Sequence, residues 1–106
     1  MLAIEWYQKA VDQGHIDAMY CLATKYSNGD GIPENDALAI KIFTQAANLG
    51  DVESQFALGV LYEKGAGIKQ DKSMAREWYE KAASQGHKKA MENLKRLKRK
   101  RFWPFG

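Results

Sequence analysis

Residues 5–15 read EWYQKAVDQGH and residues 77–87 read EWYEKAASQGH, identical at eight of eleven positions and offset by 72. A chain of 106 residues that writes one phrase twice is built from repeats, so the period comes before any secondary-structure reading. Halving the offset brings a third copy into line, KIFTQAANLGD at 41–51. At a spacing of 36, Gly14, Gly50 and Gly86 coincide, as do Ala10, Ala46 and Ala82, then Trp6, Ile42 and Trp78, then Leu22, Leu58 and Leu94.

Each copy holds two helical segments. In the first, Ala39, Ile42, Phe43, Ala46 and Ala47 recur at the three- and four-residue steps that put side chains on one helix face. Ala3, Trp6, Tyr7, Ala10 and Val11 repeat this stripe, as do Ala75, Trp78, Tyr79, Ala82 and Ala83. We call this the B-type helix. Asn35 and Asp71 stand where an N-cap belongs, and Gly14, Gly50 and Gly86 where a left-handed residue closes the C-terminus. The second, A-type helix is predicted from about 16 to 28, from about 52 to 64, and again from about 87. Its buried face is Ala18, Leu22 and Tyr26 in one copy and Ser54, Leu58 and Tyr62 in the next. Ala23 and Gly59 are small enough for a neighbouring helix to come close. Between the helices, SNGDGIPEN and EKGAGIKQD each hold two glycines for a tight turn, with Ile32 and Ile68 as apolar anchors.

LATKYSNGDGIPEN at 22–35, LGVLYEKGAGIKQD at 58–71 and the EWYxKAAxxGH phrase resemble the Sel1-like repeat over residues 1 to about 94. The period of 36 separates the chain from the tetratricopeptide repeat, whose period is about 34. The resemblance implies an all-α fold: a right-handed α/α superhelix, a solenoid of about six helices, covering about two and a half repeats in residues 1–94. Residues 95–106 form a basic and aromatic C-terminal tail continuing the last helix. The resemblance further implies a bacterial, TPR-like scaffold whose concave face binds another protein, an adaptor or an inhibitor such as a toxin-neutralising protein, with no catalytic motif. In the last A-type helix Lys95 and Lys98 replace Ala23 and Tyr26, and such charges would obstruct a further repeat, as a terminal cap does.

An apolar content of 45% fits one folded domain, and the single cysteine, Cys21, excludes a disulfide-stapled secreted scaffold. We expect Cys21 to be a half-buried thiol in a soluble, cytoplasmic protein, because no signal peptide or membrane span is evident. Net charge divides unevenly: residues 1–86 carry 8 Lys or Arg against 12 Asp or Glu, a balance of −4, while residues 87–106 carry 8 against Glu92 alone, a balance of +7. His15 and His87 share a register at A-type helix starts and read as loop or capping residues. No spacing among His, Cys, Asp and Glu suggests a metal site, a nucleophile with its base, or a phosphate loop, so neither enzyme nor cofactor is expected.

Binding is expected on the side of the A-type helices away from the Leu22 stripe. Asp17, Tyr20, Cys21 and Thr24 share an arc there, matched by Glu53, Phe56 and Val60. Tyr20 and Phe56 are either partner anchors or packing between adjacent A-type helices. The run KRLKRKR at 95–101 supplies Lys95, Arg96, Lys98, Arg99, Lys100 and Arg101. Such a run can be a solvated helix end, a site for an acidic protein, or a tether to nucleic acid or anionic membrane, the last two not favoured. Because the chain opens on a B-type helix, Trp6 and Tyr7 are expected to meet Phe102, Trp103 and Phe105 of the tail, or another copy in a homo-oligomer.

Overall fold

A computed structural model describes Lys9, residues 15–29 and residues 35–102, with side chains through Lys98. Among these residues there are five helices and no strand: α1 (Ile16–Asn28), α2 (Asp36–Asn48), α3 (Val52–Lys64), α4 (Lys72–Ser84) and α5 (Lys88–Phe102). α1, α3 and α5 are the A-type helices and α2 and α4 the B-type. The sixth helix expected, over the opening residues with Trp6 and Tyr7, lies outside the described residues, as do Gly14 and Ile32.

Local chemistry sets the ends. Asn35 Oδ1 accepts the Leu38 N–H at 3.0 Å and Asp71 Oδ1 the Met74 N–H at 3.0 Å, as the cap pattern requires. Asp51, which shares its register with His15 and His87, caps α3 by accepting the Ser54 N–H at 2.9 Å. His87 does the same job for α5, its Nδ1 accepting the Ala90 N–H at 3.1 Å. His15 occupies the cap position of α1 without a side-chain bond. At the ends of α2 and α4, Gly50 (φ 99°) and Gly86 (φ 91°) turn left-handed. Their N–H groups, with those of Asp51 and His87, return to the last-turn carbonyls of Ala47, Ala46, Ala83 and Ala82, which is a Schellman closure at both sites.

The helices pack in chain order, each against the next. Leu22, Leu58 and Tyr79 are fully buried, and Trp78 is buried as the B-type stripe predicts. One apolar cluster joins α1, α2 and α3 around Leu22, Ile42, Phe43 and Leu58 and takes in Trp78 of α4; a second joins α4 and α5 through Ala75, Tyr79, Ala82, Ala90 and Leu97. Val52, Phe56, Val60 and Tyr62 of α3 lie against the second cluster, so α3 and α4 together tie the two. A polar stitch runs between hairpins: Gln55 Nε2 donates to the Ala47 carbonyl at 3.1 Å, and Gln85 Nε2 reaches Gln55 Oε1 at 2.9 Å and the Gly50 carbonyl at 3.1 Å. The result is long rather than round, 51 × 26 × 16 Å, with a radius of gyration of 14.6 Å. A compact chain of this length would have about 13 Å.

Candidate partner-binding face

The strip singled out on the A-type helices starts with α1. Asp17 and Cys21 are exposed, while Tyr20 and Thr24 are half-buried. Thr24 turns its hydroxyl back onto the Tyr20 carbonyl at 2.8 Å, which satisfies it within its own helix. The Tyr20 ring lies 5.8 Å from that of Phe43 at 60°, so one edge packs on α2 and the other faces out. Cys21 is exposed rather than the half-buried thiol expected.

The α3 copy is more engaged. Glu53 is exposed, and Phe56 and Val60 are half-buried. Phe56 lies 5.8 Å from the Tyr79 ring and stacks on His87 at 4.5 Å and 24°. Since His87 Nδ1 accepts a backbone proton, the ring carries its own proton on Nε2, which faces Glu53 Oε1 at 3.5 Å. Neither Tyr20 nor Phe56 packs solely between A-type helices. Each contacts the following B-type helix, and Phe56 also braces the start of α5. The offset of 36 extends the strip to Lys89, Glu92, Asn93 and Arg96, a third row the two-copy reading passed over although the period pointed to it. Lys89 and Glu92 are exposed, so the strip grades from acidic at Asp17 and Glu53 to mixed charge on α5.

Arg96 does not behave as part of a free basic tail. Its guanidinium forks onto both carboxylate oxygens of Glu63, with Nη2 to Oε1 at 2.9 Å, and the Tyr79 hydroxyl donates to the same Oε1 at 2.7 Å. Burial, then the bond to Glu63, pushes the Tyr79 hydroxyl well above its ordinary value near 10. The same carboxylate raises Arg96 further above its already high value. With Leu97 buried beside it, this part of α5 belongs to the folded body. Lys95 and Lys98 are exposed. The backbone stays helical through Arg99, Lys100, Arg101 and Phe102, whose side chains lie outside the described residues, as do Trp103 and Phe105. Among the described residues no cluster of His, Cys, Asp and Glu could hold a metal ion, and no helix is long and apolar enough to cross a membrane.

Comparison with known proteins agrees with this geometry. The family model described as Sel1 repeat matches residues 1–15, 16–51 and 52–87. The chain is similar to the crystal structure of a Sel1 repeat protein from Oxalobacter formigenes, 38% identical with a TM-score of 0.83, over 87% of this chain and 69% of that one. It is also similar to a protective antigen of uropathogenic Escherichia coli that displays an SLR fold, 37% identical with a TM-score of 0.79, over 81% of this chain but 18% of that one. Cysteine rich protein B of Helicobacter pylori shares the fold at 23% identity and a TM-score of 0.81, over 86% and 68% of the two chains. No curated protein matches the chain.

Proposed function

The chain belongs to the Sel1 repeat family, whose members are generally protein–protein interaction scaffolds, and from that premise we propose that it is a non-enzymatic adaptor- or inhibitor-type module. Its partner protein lies along the A-type strip. The observation that supports this reading is the repetition, on successive rigid hairpins, of a half-exposed aromatic flanked by exposed polar residues: Tyr20 with Asp17 and Cys21, then Phe56 with Glu53. Aromatic side chains held from behind present area to a partner at little entropic cost. Action would be by steric occlusion or by holding two proteins together, without turnover. The rival reading, a tether for nucleic acid or membrane, has one cation fewer than the run of six implies, because Arg96 is already held by Glu63.

The test uses the exposed single cysteine. A photocrosslinker attached to Cys21 of the full chain should capture the partner, which is then purified and titrated. Tyr20→Ala should weaken binding at least about 10-fold with helicity unchanged, while the unaltered chain keeps its affinity from 50 to 300 mM salt. Unchanged affinity in that variant, with loss on adding salt, would move the partner to the basic run and overturn the strip.

A further inference from the structure

We infer that the outer face of α5 is a second docking surface, separate from the A-type strip, and that it takes an acidic amphipathic helix of a partner protein laid down as α4 lies on α3. The geometry comes from the repeat itself. On α1 the stripe Met19, Ala23, Tyr26 is covered by α2, with Met19 and Ala23 buried. On α3 the equivalent stripe Gln55, Gly59, Tyr62 is covered by α4, with Gln55 and Gly59 buried. The covering is intimate: a Cβ on Gly59 would stand 2.5 Å from the Tyr79 ring. On α5 the same stripe reads Met91, Lys95, Lys98, and all three are exposed, Met91 at 39%. An apolar side chain is thus bared in a register that is dry in both earlier copies, next to two cations where those copies carry a small residue and a tyrosine.

The contacts of α4 on α3 say what should meet each position. The pair is antiparallel, since the Asp71 N–H reaches the Tyr62 carbonyl at one end and Gln85 reaches Gln55 at the other. Transferred to α5, the first turn of a docked helix lies by Lys98, its middle by Lys95, and its last turn by Met91. Carboxylates complement the first two positions, and those in the first turn gain from the helix dipole as well. An apolar residue complements the third. A tyrosine at the Tyr79 position would press against Lys95, which is why another neutral repeat fits poorly and an acidic helix fits well. A phosphate backbone or an anionic bilayer would use the lysines but leave Met91 without a register.

The probe is a fluorescein-labelled peptide of the sequence Asp71–Gly86 carrying Lys72→Glu, Tyr79→Glu and Gln85→Leu, which places a carboxylate in the first turn and one at the middle position, titrated by anisotropy with the full chain at 150 mM salt. We expect saturable one-to-one binding, at least tenfold weaker for a scrambled peptide of equal charge, for the unaltered Asp71–Gly86 peptide, and for the protein variants Lys95→Glu with Lys98→Glu and Met91→Lys. All three protein positions are exposed, so these variants keep the fold, checked by circular dichroism. Absence of saturation by 1 mM full chain overturns the proposal. So does equal binding of the scrambled peptide, or tighter binding of duplex DNA or phosphatidylserine vesicles that Met91→Lys leaves unchanged.

Discussion

Gly59 sits in the middle of α3, where helix propensity alone favours alanine by about 1 kcal/mol. The Tyr79 ring stands where the added methyl would go, 2.5 Å from it, and Tyr79 is fully buried with no room to retreat. Overpacking of this kind costs about 1–3 kcal/mol and exceeds the propensity gain. Gly59→Ala should therefore lower the urea midpoint, although alanine stands in the same register of α1 as Ala23, in the cluster that holds Phe43. Tyr79 offers a second test, through its proton. Its folded value is raised, so the stability it contributes is fully present below the unfolded value near 10 and is lost as pH rises beyond that. The slope is up to about 1.4 kcal/mol per pH unit. Tyr79→Phe removes the group and its bond to Glu63, costing about 1 kcal/mol at pH 8. The gap between wild type and variant should narrow between pH 10 and pH 11; a constant gap would mean that the hydroxyl is free to ionise in the folded chain.

At the scale of the element, α5 is where composition and packing part company. Residues 95–101 look like a solvated charge run, yet Leu97 is buried and Arg96 is clamped to Glu63, whose side chain is 17% exposed. A chain ending at Leu94 therefore loses a core leucine and the cover over Tyr79 together with the tail. We expect that chain to melt several degrees lower, about 2–4 kcal/mol less stable, from the leucine plus the charged pair discounted for solvent at Arg96. Arg96→Ala in the full chain should cost about 1 kcal/mol and speed hydrogen exchange in the last turns of α5 alone. Exchange that quickens evenly along the molecule would show the clamp to be global rather than local. The A and B order, the capped starts of α2 and α4 and the burial of Leu22, Ser54 and Leu58 were legible in the sequence, because each is a local pattern written more than once; Ala18, Tyr26 and Tyr62 of the same stripe are only half-buried. The Glu63, Tyr79 and Arg96 network was not. Its members lie 16 and 33 residues apart in three different repeat registers, so neither the period nor a charge count could join them. Cys21 was misread for a related reason: exposure depends on what the next helix covers, and helical angles place a residue without saying what stands opposite.

Across the whole molecule, charge is divided along the chain. The helices pack in chain order, so α5 is the last of the described helices in the stack. Residues 87–106 hold +7 against −4 for the rest, and a net charge of +3 conceals that separation. The Debye length is about 14 Å at 50 mM salt and about 4 Å at 500 mM, so the basic end of one molecule meets the acidic body of another unscreened only at the lower strength. Light scattering should accordingly show weak attraction at 50 mM, with apparent mass rising with concentration, and none at 500 mM. Lys95→Glu with Lys98→Glu reduces the end from +7 to +3 and should abolish the rise. An apparent mass that instead falls at low salt would mean the chain repels its copies as a uniform +3 particle does, and that its polarity is too short-ranged to organise encounters. The attraction predicted is non-specific, requires no docked helix, and should be present in Met91→Lys as well, which separates long-range steering by the charge from the short-range register that Met91 supplies.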